Sequence, residues 1–101
     1  MAEANKHKTL GNELLAGYKF AAAAEEYTLA IDIVPTAIFY ANRAQAMIKT
    51  ESYGLAIEDC TEALKLDPSY IKAYYRRGNA NYALQRLKVA LKDFKTVVKM
   101  Y

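Results

Sequence analysis

Cysteine and histidine are nearly missing from this sequence, which holds one of each, Cys60 and His7. A lone thiol closes no internal disulfide, and this usage fits a reducing compartment. One imidazole and one distant thiol supply neither a nucleophile with its base nor a metal cluster. No catalytic residue, no metal and no cofactor is therefore expected of this chain. Glycine and proline are also scarce, four and two, which points to long helices joined by short turns. No apolar run approaches the roughly 18 residues that cross a bilayer. The start Met1-Ala2-Glu3-Ala4-Asn5 lacks the apolar stretch of a signal peptide. The expectation is an intracellular protein with no membrane contact, cytoplasmic and extending to the nucleus.

What is present reads as one folded domain. Apolar residues make up 53% and charged residues 25% of the 101, ordinary values that argue against disorder. The net charge of +3 hides an asymmetry: residues 72–101 carry eight Lys or Arg against Asp93 alone, and residues 1–71 carry six against ten acids. A basic C-terminal third suits an acidic partner, or an acidic segment elsewhere in a longer chain.

Sliding the sequence over itself gives a repeat. Gly11, Ala23, Tyr27, Ala30 and Pro35 recur 33 residues later as Ala44, Ala56, Cys60, Ala63 and Pro68. The first four recur again 34 residues on as Gly78, Ala90, Phe94 and Val97, and Phe20, Tyr53 and Leu87 form a further row. Small residues at fixed places let two helices approach closely. Periodicity and breakers predict helices over about 3–17, 20–33, 36–50, 53–66, 69–84 and 87–100. Gly17 and Gly54 are placed at the turns within pairs, and Asp67-Pro68-Ser69 as a turn with a cap for the next helix.

This pattern resembles the tetratricopeptide repeat, a helix-turn-helix unit of 34 residues. The resemblance covers essentially the whole chain and implies an all-α fold. Three tandem repeats, about 4–35, 37–70 and 71–101, would form a right-handed superhelical solenoid with a concave peptide groove. His7 departs from the pattern where Trp is common, Cys60 where an aromatic is, and Val97 where a third Ala is expected, so the last turn should pack more loosely. Repeat arrays usually end in polar capping elements. Val97, Val98 and Tyr101 have no obvious cover, so a capping helix and a longer parent protein are expected beyond Tyr101.

Lys72 and Arg76 stand four residues apart in a helical segment, on one face, where two cations repel by a few tenths of a kcal/mol. Such a pair either points into water or awaits an anion. Lys8 and Asn12 are also four apart, on the first concave helix, and Asn42 lies on the second. The five residues match, place by place, the carboxylate clamp of tetratricopeptide domains that bind the C-termini of heat-shock chaperones. A chain ending in Asp offers two adjacent carboxylates. Lys supplies a mobile point charge, Arg a planar fork, and Asn a neutral donor and acceptor. The resemblance assigns Lys8, Asn12, Asn42 and Lys72 to the terminal Asp and Arg76 to the peptide slightly upstream. Ile38, Ile48 and Tyr82 would hold upstream side chains, with Lys49 a secondary contact for an upstream acid. Desolvation and peptide ordering consume much of the hydrogen-bond energy, so micromolar affinity is expected, roughly 8 kcal/mol.

The remaining wording, Tyr53 to Asp59, Tyr70 to Arg77 and Ala90 to Lys99, resembles the N-terminal clamp domains of type 5 serine/threonine phosphatases. There the domain tethers the enzyme to heat-shock protein 90 and folds over the catalytic domain when empty. The implied partners are the C-terminal peptide of heat-shock protein 90, with heat-shock protein 70 as a second source, and a phosphatase catalytic domain in the same parent chain. A co-chaperone or immunophilin clamp is the alternative. A reading of another class takes the basic third as a surface for nucleic acid or an acidic partner; Arg86, Lys88, Lys92, Lys95 and Lys99 read instead as a solvated face, and no nucleic acid is expected. Arg77 points about 100° away from Arg76 and shares its repeat position with Arg43, so both are read as structural. His7 is read as a packing residue and Cys60 as a small buried hydrophobe.

Overall fold

Alanine-rich helical stripes are interrupted at Gly17-Tyr18-Lys19, Pro35, Thr50-Glu51-Ser52, Asp67-Pro68 and Leu84-Gln85-Arg86, and the chain folds into six helices between these breaks. The computed structural model describes residues 1–101. The helices are α1 (Ala2–Ala16), α2 (Phe20–Ile33), α3 (Ala37–Lys49), α4 (Tyr53–Leu66), α5 (Ile71–Ala83) and α6 (Leu87–Met100). Each boundary lies within two residues of the sequence expectation.

The turns inside the pairs differ from expectation. Gly54 is not a turn residue; it lies in the first turn of α4, with open space where a Cβ would sit. The left-handed conformation is carried instead by Tyr18, Glu51 and Gln85, at φ 64°, 60° and 61°. Each turn closes identically. Lys19, Ser52 and Arg86 donate their N–H to the carbonyls of Leu14, Met47 and Asn81, while Tyr18, Glu51 and Gln85 donate to Leu15, Ile48 and Tyr82. This nested pair of bonds is the Schellman motif, which satisfies helix-end carbonyls and demands one left-handed residue.

The links between repeats also depart in one detail. Thr36 caps α3, its hydroxyl accepting from the Phe39 N–H at 3.2 Å. Ser69 caps nothing: its N–H and hydroxyl both donate to Asp67 Oδ1, at 3.0 and 2.7 Å, and the cap position of α5 is Tyr70. These two donors hold the Asp67 carboxyl below its ordinary range. The shorter first repeat is accommodated here, three residues linking α2 to α3 and four linking α4 to α5.

The layers follow from which helices touch. Each helix packs on its chain neighbours, and in addition α1 meets α3 and α3 meets α5, whereas α2, α4 and α6 make no contact with one another. Helices α1, α3 and α5 therefore form a continuous inner layer with α3 in the middle, and the even-numbered helices splay outside it. The stack bends around the inner layer, giving an elongated body of 38 × 25 × 20 Å.

Its core is a strip rather than a centre. Ala37, Ala41, Ala44, Ala56, Cys60, Ala63, Ala73 and Ala80 fill the middle. Ala4, Ala30, Ile31 and Phe39 join the first repeat to α3, and Ala23, Tyr27 and Ala46 complete the strip. Size complementarity governs the closest contact within each pair. A Cβ added to Gly11 would lie 2.6 Å from the Tyr27 ring, and one added to Gly78 would lie 2.5 Å from the Phe94 ring. In the middle repeat the partners are Ala44 and Cys60, the smaller side chain on α4 leaving room for the methyl on α3. Val97, at the place of the buried Ala30 and Ala63, stays half-exposed.

Gly78→Ala is expected to cost about 1–3 kcal/mol by overpacking. The double change Gly78→Ala/Phe94→Cys, which imports the middle repeat's pairing, should recover part of that loss in thermal unfolding. A single change at the third turn, Gln85→Gly, should raise stability by roughly 0.5–1 kcal/mol in urea titration, because glycine adopts the left-handed conformation without the steric penalty.

Candidate functional site

Every residue assigned to the clamp lies on the inner layer: Lys8 and Asn12 on α1, Asn42 on α3, Lys72 and Arg76 on α5. Acids are scarce on the inner layer, where only α1 carries any, Glu3 and Glu13. Helices α3 and α5 contain no Asp or Glu, while α2 and α4 carry Glu25, Glu26, Asp32, Glu58, Asp59 and Glu62. The chain's ion pairs are His7–Glu26, Arg43–Asp59, Lys65–Glu62 and Arg77–Asp93. None uses Lys8, Lys49, Lys72 or Arg76, so the inner face keeps its cations unneutralised.

Arg76 and Arg77 show how sharply one residue's rotation around a helix changes fate. Arg77 grips Asp93 of α6 through two bonds, Nε at 2.8 Å and Nη2 at 2.9 Å, and donates from Nη1 to the Thr61 hydroxyl of α4 at 3.3 Å. Arg43 repeats the device, bonding Asp59 of α4 at 2.9 and 2.7 Å and Thr28 of α2 at 3.1 Å. The two acids are almost fully buried, at 6% and 4% exposure. Each guanidinium thus ties three helices together across a repeat boundary, and each stacks near a tyrosine ring, Tyr40 and Tyr74. Their carboxylate bonds push both arginines above their ordinary pKa. The structural reading of Arg43 and Arg77 holds.

Arg76 reaches the other way, along the inner layer, donating from Nη1 to the Ala41 carbonyl of α3 at 2.8 Å. That bond holds the guanidinium beside the Asn42 helix and leaves its remaining N–H groups for a ligand. On α1, Asn12 accepts a 2.6 Å hydrogen bond from the hydroxyl of Tyr27 on α2. Burial pushes the Tyr27 phenol up, with the positive charge of Arg76 acting in the opposite direction.

The other predicted residues divide. Lys49 is exposed in the last turn of α3, and Ile38 and Tyr82 are open, at 46% and 63% exposure. Ile48 instead packs against the alanine core and offers only part of its surface. Tyr82 also borders a shallow hollow of about 250 Å³ with Leu87, Leu91 and Phe94. His7 spans the first pair by bonding Glu26 at 2.8 Å, which fits a packing role. Cys60 is fully buried and its thiol is pushed up to about 12 by that burial, so it is neutral and unreactive. Sequence reasoning missed Tyr27 as a polar partner and Asp59 and Asp93 as latches. The Arg-to-Asp interval of 16 residues, present in two repeats, was a signal for the latter.

Six helices in three stacked pairs, with small residues at the pair contacts and a cationic inner face, define a helical-repeat scaffold. The chain belongs to the tetratricopeptide-repeat family, as residues 45–85 match the family described as TPR repeat and residues 71–101 the one described as tetratricopeptide repeat. It is 42% identical over 101 residues to human serine/threonine-protein phosphatase 5, covering 99% of this chain and 20% of that protein. The chain thus spans about a fifth of that relative. Among solved structures it resembles the second TPR of Spaghetti (RPAP3) bound to the HSP90 peptide SRMEEVD, at 40% identity and a TM-score of 0.95, covering 98% of this chain and 93% of that one. The second TPR domain of human RPAP3 in complex with the HSP70 peptide SGPTIEEVD matches at 40% identity and a TM-score of 0.94, covering 98% and 83%. The chain is an interaction domain, and the phosphatase relative matches it over this repeat region alone.

Arg77→Ala, which strands the buried Asp93 carboxylate, should lower unfolding free energy by about 3 kcal/mol. Arg76→Ala, which loses one bond to a carbonyl at the groove, should cost about 1 kcal/mol. Parallel urea titrations distinguish the two.

Proposed function

We propose that this chain captures the acidic C-terminal peptide of heat-shock protein 90, and the similar tail of heat-shock protein 70, in its concave groove. The observation that carries the reading is the inner face itself: Lys8, Lys72 and Arg76 without any carboxylate partner, beside Asn12 and Asn42, on helices of which two hold no acid. A peptide ending in Asp brings two carboxylates to those donors, and the charge-assisted bonds form in a groove that has few competing acceptors. Lys8, Asn12, Asn42 and Lys72 take the terminal residue, and Arg76, anchored on Ala41, takes the peptide just upstream. Lys49, Ile38, Tyr82 and the open part of Ile48 line the continuation.

In the longer protein the domain serves to bring a serine/threonine phosphatase to chaperone clients and to cover the catalytic domain while the groove is empty. Its similarity to phosphatase 5 supports this setting, and the RPAP3 structures support the co-chaperone alternative equally at the level of the groove. The proposed location is the cytoplasm and nucleus, where those chaperone tails are available.

Isothermal titration with a peptide ending in Met-Glu-Glu-Val-Asp should give micromolar affinity, and C-terminal amidation should reduce it more than tenfold. Equal binding of the amidated peptide would sink the clamp reading. Lys72→Glu should abolish binding while circular dichroism retains full helicity; loss of helicity would make Lys72 structural.

A further inference from the structure

The geometry points to Tyr27 as the positioning residue of the groove, its buried hydroxyl locking the Asn12 amide so that both Nδ2 hydrogens face the ligand carboxylate. This inference rests on the proposed function for the identity of the ligand but on the hydrogen bond for the lock itself. Tyr27 is fully buried, and its hydroxyl meets Asn12 Oδ1 at 2.6 Å. A buried hydroxyl must donate to an acceptor, and Oδ1 is the one it reaches. With Oδ1 occupied, the amide cannot turn its oxygen toward an incoming carboxylate, where it would repel. The free end presents donors only.

Packing does not require the hydroxyl. The same repeat position holds Cys60 and Phe94, which fill their pairs without a polar group, and the places equivalent to Asn12 hold Gln45 and Asn79. The lock occurs only in the first repeat, where the amide in question is a clamp residue. Gly11 is part of the device. Its missing side chain lets the ring pass under α1, since a Cβ there would come within 2.6 Å of the ring. The neighbouring backbone thus brings the phenol to Asn12. Burial also raises the phenol's pKa, so the hydroxyl remains a donor at neutral pH.

The test uses Tyr27→Phe, Asn12→Ala and the double variant, each titrated with a peptide ending in Glu-Glu-Val-Asp. Tyr27→Phe should weaken binding about fivefold, the scale of one hydrogen bond, and should add nothing to Asn12→Ala. A separate reading without peptide follows the Asn12 side-chain amide by ¹H–¹⁵N NMR. Its two protons should be well separated in the wild type and collapse toward free-asparagine shifts in Tyr27→Phe. Unchanged amide shifts, unchanged affinity, or losses that multiply in the double variant would each overturn the lock. Should Tyr27→Phe unfold, Asn12→Asp keeps an acceptor for the hydroxyl while removing the donors; it must then fold and lose binding, and retained binding overturns the proposal. If the wild type ignores the peptide while the amide shifts respond to Tyr27→Phe, the chaperone-tail reading fails and the hydrogen-bond lock stands apart from it.

Discussion

Helices in this protein meet on alanine and glycine, and the short distance this allows is the constraint from which the rest follows. The buried strip holds alanines at nearly every contact between neighbouring helices. Each contributes little area, about 0.8 kcal/mol for a buried methyl group, so no single contact dominates. The larger side chains, Leu14, Tyr40, Ile57, Leu64 and Tyr70, pack around the strip half-buried. Close approach brings α3 into contact with both α1 and α5 while the outer helices stay apart, and that imbalance makes the concave face. A bulkier core would separate the inner helices and spread Lys8, Asn12, Asn42, Lys72 and Arg76.

Charge is sorted by the same architecture. Position seven of the second and third repeats turns toward the boundary between pairs, where Arg43 and Arg77 find buried aspartates and a threonine from the preceding repeat. Position six of the third repeat turns inward, where Arg76 meets a backbone carbonyl and no carboxylate. Two arginines adjacent in sequence therefore have opposite uses: Arg77 is neutralised and holds repeats in register, and Arg76 remains a donor. The buried pairs do not make the fold stable by Coulomb attraction alone, since desolvation opposes it. Their geometry, one fork bonding two helices while projecting from a third, specifies how pairs stack.

Most of the fold was legible because it is periodic. Rows such as Ala23, Ala56 and Ala90 mark the close contacts, and the prolines mark where pairs end. The placement of Lys8, Asn12, Asn42, Lys72 and Arg76 on the inner helices was legible for a related reason, since residues at fixed repeat positions share a face. The departures were non-periodic or conformational. Gly54 looked like a turn residue because glycine favours turns, yet Tyr18, Glu51 and Gln85 take the left-handed positions under the demand of the Schellman bonds. Ser69 looked like a cap, but the nearer Asp67 carboxylate takes its donors. Ile48 counted as a groove residue by position, and its neighbours draw it partly into the core.

By itself the sequence determined the repeat length, the helix count, the inward-facing positions and the choice of Lys, Asn and Arg at five of them, because all of these are consequences of local spacing. Tertiary structure alone decided which cations stay free and how Asn12 is held. Those outcomes depend on side chains distant along the chain: Asp93 arriving beside Arg77, the Ala41 carbonyl beside Arg76, and the Tyr27 hydroxyl crossing beneath Gly11. Such meetings are set by the approach of packed helices, which local spacing does not encode.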